Sequence, residues 1–136
     1  MFRMTSLIII ISFMGLWVFV RFWQPSVREA FFDRFAETEV TSTLAGGYTH
    51  KAEGVSDAKY QELLTIIEAG QSTTRKAVDG PGVVFQTRTK WVGFPDITRV
   101  IHDGGTLLIQ GHLVYGRRDF GINKARIQGW LNAAGL

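Results

Sequence analysis

A run of 17 uncharged residues, positions 4–20, lies between Arg3 and Arg21, and its inner part reads LIIIISFMGLWVFV. Nothing else in the chain restricts its folding so strongly. A spanning helix needs roughly 17–25 mostly apolar residues, because each residue advances it by about 1.5 Å and the hydrocarbon layer is about 30 Å thick. A core helix of a soluble domain would carry a polar stripe, and this run carries almost none. Leu7, Ile10, Phe13, Trp17, Val20 and Trp23 are therefore expected to form a membrane anchor. Trp17, Phe22 and Trp23 gather at its far end, where amphipathic rings favour the headgroup region. A secretory leader shares the charged start and the apolar run, but the RFWQPSVREA that follows has no small-x-small cleavage pattern. The expected organisation is an uncleaved anchor over 1–24, an amphipathic segment and linker over 25–54, and a folded domain over 55–136. Arg21, Arg28 and Arg34 follow the run while Arg3 precedes it, so counting cations alone places the C-terminal side in the cytoplasm.

Beyond the anchor, Val27, Phe31, Phe32 and Phe35 recur at helical spacing and make one apolar stripe, suited to a bilayer surface or to the domain. Residues 36–54 mix Thr, Gly and Glu without a period and read as a connector with at most a short extended piece; His50 in it reads as a solvated side chain. Ser56 is a good N-cap, Asp57 suits the first turn, and Tyr60, Leu63, Leu64 and Ile67 form a stripe that ends at Gly70. Four strands are then expected: 72–78, 83–91, 97–102 and 106–115, separated by Asp79-Gly80-Pro81-Gly82, Gly93-Phe94-Pro95-Asp96 and Asp103-Gly104-Gly105. In the second, Val83, Phe85 and Thr87 alternate with Val84, Gln86 and Arg88, so the Arg88 face is expected to meet solvent or a partner. Asp119 or Asn123 opens a last helix, in which Ile127, Trp130, Leu131 and Ala134 share a face and Gly135 ends the run. The order helix, four strands, helix predicts an α+β domain: a four-stranded antiparallel sheet with two helices packed on one face, behind a single transmembrane helix.

Composition narrows the chemistry. There is no cysteine, which removes disulfides and thiolate metal sites. Residues 1–71 hold 6 basic and 8 acidic side chains, whereas residues 72–136 hold 9 basic and 4 acidic ones, so the second half is cationic. That imbalance suits a membrane surface or another anionic partner, or simply a solvated basic face. Nucleic acid is not an expected partner, because the cations form no recognition helix and lack interleaved aromatics.

TRTKWVGFPD, followed about twenty residues later by YGRRDFGINKARIQGWL, resembles the domain-of-unknown-function family 1499 of bacteria and plastids. Arg88, Gly93, Phe94 and Asp96 match its first motif; Gly116, Asp119, Gly121, Asn123 and Arg126 match its second. Two elements depart: the Pro-Asn-Cys start of many members is absent, and the strand before the second motif reads LIQGHLVYG in place of arginines and serines. The resemblance implies a small exported or membrane-attached domain with no established activity. It turns the expected orientation outward, to a bacterial inner membrane with the domain on the periplasmic side.

Two readings of the motif residues follow. In one, Arg88 and Arg126 each pair with a carboxylate, Asp96 or Asp119, and the group locks sheet to helix. In the other, Arg88, Arg117, Arg118 and Arg126 form an anion or lipid-headgroup site beside a helix N-terminus, with Asn123 in the same motif. Asp96, His102, His112 and Asp119 are the candidate acid–base groups, with the two histidines expected close together on adjacent strands; no nucleophile–base or metal-ligand spacing supports a reaction. The expectation is therefore a non-catalytic accessory or assembly subunit, without cofactor or metal, whose partners are membrane lipids and an integral-membrane protein complex. A lipid- or amphiphile-binding module is the alternative, and an enzyme the weakest reading.

Overall fold

The computed structural model describes residues 2–23, 40–80 and 82–136. The stripe of Val27, Phe31, Phe32 and Phe35, and Pro81 of the first turn, lie outside the described residues. The elements are α1 (Phe2–Phe22), β1 (Ser42–Leu44), β2 (Gly47–Ala52), α2 (Asp57–Glu68), β3 (Thr73–Asp79), β4 (Gly82–Arg88), β5 (Pro95–Asp103), β6 (Thr106–Leu113) and α3 (Ile122–Ala134). The apolar run is helical throughout, and Met4–Phe22, with mean hydropathy 2.0, is long and apolar enough to cross a membrane or to act as a signal sequence. Its side chains are exposed along its length until Val20 and Arg21, which are half-buried where the helix meets the domain.

The strands form one antiparallel sheet in the order β1-β2-β6-β5-β4-β3. The sheet has six strands, not the four expected. The two additional ones come from the stretch read as a connector, where β1 turns through Ala45-Gly46 into β2 and β2 pairs along β6. Their sequence hides this because β1 is three residues long and β2 begins at a glycine. Gly47 is required there: a Cβ on it would lie 2.4 Å from the Gly111 carbonyl oxygen. Further on, the Gly104-Gly105 turn joins β5 to β6 as a two-residue hairpin with both φ values positive, +55° and +82°, the geometry that glycine supplies without strain.

One face of the sheet, bearing Tyr48, Val83, Phe85, Val100, Leu107 and Ile109, packs against Leu63, Leu64 and Ile67 of α2 and Ile127, Leu131 and Ala134 of α3. Each fully buried aliphatic or aromatic side chain here contributes about 1.5–3 kcal/mol. Both helices thus lie on one face, as the stripes require. Ser56 caps α2 by accepting from Lys59 N at 3.3 Å. Lys59 Nζ in turn donates to the Ala134 carbonyl at 2.7 Å, which ties the start of α2 to the end of α3. Trp130 is half-buried against this core. β4 departs from the expected half-exposed strand. It is an interior strand between β3 and β5, and it is buried on both faces along its whole length, Arg88 included, where the end of α1 closes over it.

Candidate functional site

The motif residues collect at one end of the sheet, where β4 ends, β5 begins, β6 ends and α3 starts. Two arginines organise that end, Arg88 buried and Arg126 nearly so, and they solve the same problem differently. Arg126, on the first turns of α3, places Nη2 2.9 Å from Asp96 Oδ2 at the start of β5. Its Nη1 donates to Asn123 Oδ1 at 3.1 Å. Asn123 is fully buried, and it reaches that depth because Gly111 of β6 has no side chain: a Cβ there would stand 3.0 Å from Asn123 Oδ1 and from Ile127 Cδ1. Burial pushes the Asp96 carboxyl above its usual range; Arg126 opposes that shift without cancelling it, and Asp119 adds to it.

Asp119 forms the cap of α3. Its carboxylate accepts from Gly121 N and Asn123 N, both at 3.0 Å, and its own N–H donates to the Ala45 carbonyl in the β1–β2 turn. A negative side chain at a helix N-terminus satisfies free N–H groups and opposes the helix dipole. That role leaves no exposed N-terminal donors at Gly121 and Asn123 for an external anion.

The lock reading gives Arg88 a carboxylate partner. Instead its partners are backbone carbonyls. Nη1 donates to the Val20 oxygen and to the Gly93 oxygen, each at 2.9 Å, and Nη2 donates to the Trp23 oxygen. Val20 and Trp23 belong to the C-terminal end of α1, where carbonyls lack helical partners and the dipole is negative. The guanidinium therefore caps the apolar helix from inside the domain. Its pKa is lowered by burial and then by the neighbouring Arg21, from a value so high that the group stays charged. Gly93 makes the approach feasible: a Cβ on it would lie 2.8 Å from Arg21 Cδ, and its φ of +79° is closed to most other residues. Trp17 Nε1 donates to the Trp91 carbonyl at 3.2 Å, and the Trp23 and Tyr115 rings lie 5.2 Å apart, centre to centre.

Arg117 and Arg118 stand exposed on the turn between β6 and α3. The four arginines of the anion reading are thus not brought to one site, although Arg88 and Arg126 both line a groove of about 510 Å³ together with Lys90, Trp91, Phe94 and Ile122. A second hollow of about 320 Å³ lies between α1 and the domain, lined by Phe19, Val20, Trp23, Phe94, Pro95 and Tyr115.

Of the candidate acid–base residues, Asp96 and Asp119 lie close enough for one charge to act on the other, whereas the two histidines are not brought together. His102 pairs with Leu107 and His112 with Ile97, so the two are five rungs apart and on opposite faces of the sheet, because side chains alternate along a ladder. His102 donates through Nε2 to the Val55 carbonyl at 2.7 Å, stacks on Tyr60 at 4.9 Å and sits 3.3 Å from Asp57 Oδ1. Those contacts pin the loop before α2. His50 lies on β2, half-buried with its ring 6.4 Å from that of Tyr48, and burial lowers its pKa. Among the described residues no three of His, Asp and Glu converge as a metal site would need.

Sequence reasoning passed over the exposed apolar side chains of this end. Trp91 is 81% exposed and Phe120 90%, with Val92, Phe94, Tyr115 and Ile122 also exposed. Phe120 has φ +53°, a conformation that costs a bulky residue about 1–2 kcal/mol. The available signal was aromatics lying inside glycine-bounded turns, Trp-Val-Gly-Phe and Asp-Phe-Gly. No family model matches this chain, and no curated protein matches it either.

Proposed function

We propose that this protein is a membrane-anchored, non-catalytic accessory subunit, whose α+β domain is held against the bilayer surface as an assembly element of a membrane protein complex. The observation that carries the reading is the clasp of Arg88 on the last carbonyls of α1. A mere tether would need no buried cation of the domain committed to the helix end. A clasp sets the height and direction of the domain relative to the anchor, which is what a docking subunit requires. The Asp96–Arg126 pair and the Asp119 cap support it, since both are directed at holding β5, β6 and α3 together. The motif residues that resemble family 1499 serve here as corners of the fold. The orientation belonging to this proposal puts the domain on the periplasmic side of a bacterial inner membrane.

Purification at native expression in mild detergent, followed by mass spectrometry, tests the reading. A stable set of co-purifying membrane proteins, lost when Arg88 is replaced, is the expected result; a free monomer alone overturns it. The groove of about 510 Å³ lined by Arg88, Lys90 and Arg126 favours a second reading, the binding of a small anionic amphiphile between sheet and helix. That reading requires a lipid-like ligand to co-purify with the protein and to be displaced when Phe94 or Ile122 is replaced by a bulkier side chain.

A further inference from the structure

We infer that the two loops flanking the end of α1 form a surface that enters an anionic bilayer interface: Trp91 and Phe94 on the β4–β5 loop, Tyr115, Phe120 and Ile122 around the β6–α3 turn. This rests on the proposal that α1 spans a membrane. Four observations point the same way. The first is position along the helix. Trp17 Nε1 holds the Trp91 carbonyl, and Trp17 lies five residues before Phe22, so Trp91 stands about 7–8 Å back along α1 from its C-terminal end at 1.5 Å per residue. If α1 crosses the hydrocarbon layer, that level falls at the headgroup–acyl boundary, the depth of about 5–10 Å that interfacial apolar groups reach.

The second is that the loops lie together. Val114 N donates to the Pro95 carbonyl, Phe94 and Tyr115 line one hollow with α1, and Phe94 and Ile122 line the adjoining groove. The third is the energetics of Phe120. An aromatic ring held at positive φ with 90% of its surface exposed is unfavourable in water on both counts. In an apolar interface the exposure becomes the useful part. The fourth is charge: Lys90, Arg117 and Arg118 are exposed beside these rings, which is the pairing of aromatic body and cationic rim that anionic lipid headgroups attract. The aromatic α1 end and the loops are then one continuous belt, and the domain is seated on the lipid as well as tied to it.

The absence of cysteine makes a direct depth measurement clean. Single variants M14C in α1, V92C and F120C in the loops, and D103C at the opposite end of the sheet would carry a nitroxide. The full chain would be reconstituted in nanodiscs of phosphatidylcholine, with or without phosphatidylglycerol. Relative accessibility to oxygen and to a water-soluble nickel chelate reads depth. The expected result is a hydrocarbon position for Met14→Cys, water for Asp103→Cys, and oxygen-to-nickel ratios severalfold above the latter for Val92→Cys and Phe120→Cys. Those loop ratios should rise further with phosphatidylglycerol, and a K90Q/R117Q/R118Q background should abolish that rise. Loop labels as aqueous as Asp103→Cys, with Met14→Cys still in hydrocarbon, overturn this inference and leave the anchor standing. An aqueous Met14→Cys overturns the anchor and the inference together. Loop depth indifferent to phosphatidylglycerol overturns the anionic preference.

Discussion

Arg126 and Arg88 stand at the same end of the sheet, both largely withdrawn from water, and differ in what answers their charge. Arg126 meets a carboxylate, Asp96, within the domain. Among the described residues Arg88 meets carbonyl oxygens, two of them at the end of another element 65 and 68 residues away in sequence. The first is an ion pair whose halves depend on each other. The second is a cap, in which a full charge is set against the partial negative charge of a helix end. An arginine paired with a carboxylate serves the domain alone; one paired with carbonyls of a foreign helix serves the junction. The pairs should therefore fail in different ways when broken.

The largest effect is expected from Asp96→Ala, which leaves Arg126 buried without a counter-charge. Unfolding by denaturant should show a loss of about 3–5 kcal/mol. Arg126→Ala should cost less, because an Asp96 carboxyl already raised by burial can take up a proton. Replacing both together by well-packed apolar residues, Asp96→Leu with Arg126→Met, should recover most of the loss; if it does not, the pair does more than lock the corner. Arg88→Ala removes hydrogen bonds to neutral carbonyls and, among the described residues, leaves no unpaired charge. Its stability loss should be smaller, about 1–3 kcal/mol. Its distinctive mark lies elsewhere: spin-label distances between α1 and the domain should broaden, whereas in Asp96→Ala they should keep their width while the domain stays folded. Equal broadening in both variants would erase the distinction between lock and junction.

Next comes Asp119→Ala, which removes the cap of α3 at a cost of about 1 kcal/mol, with Asp119→Asn recovering part of it. The smallest effect is in the pH dependence. The folded-state pKa of Asp96 is raised above the unfolded value, so the folded state holds that proton more tightly. The group then adds stability as pH falls through its folded pKa, complete below its unfolded pKa of roughly 4. The wild type should gain stability relative to Asp96→Asn on going from neutral to mildly acidic solution. A loss over that range would mean that Arg126 holds the carboxylate ionised more strongly than burial opposes it.

Much of this molecule follows from short-range pattern. The uncharged run before Arg21 forms a helix long and apolar enough to cross a membrane or to act as a signal sequence. Ser56 and the stripe through Tyr60, Leu63, Leu64 and Ile67 define α2, Asp103-Gly104-Gly105 defines a hairpin, and Asp119 accepts from the first N–H groups of α3; in each case the determining contacts lie within a few residues. Periodicity fails where the deciding contact is distant. β1 is too short and β2 too polar to declare itself; β2 is a strand because β6 offers it an open edge, and β1 because β2 then offers another. Arg88 follows the alternation of a half-exposed strand, yet β4 lies inside the sheet and the helix end closes over its last residue. His102 and His112 read as neighbours along a hairpin until the register sends them to opposite faces. Residue spacing determines which side chains share a face; only chain closure decides what that face meets, because the groups that answer a buried charge are chosen by the packing of segments far apart in sequence.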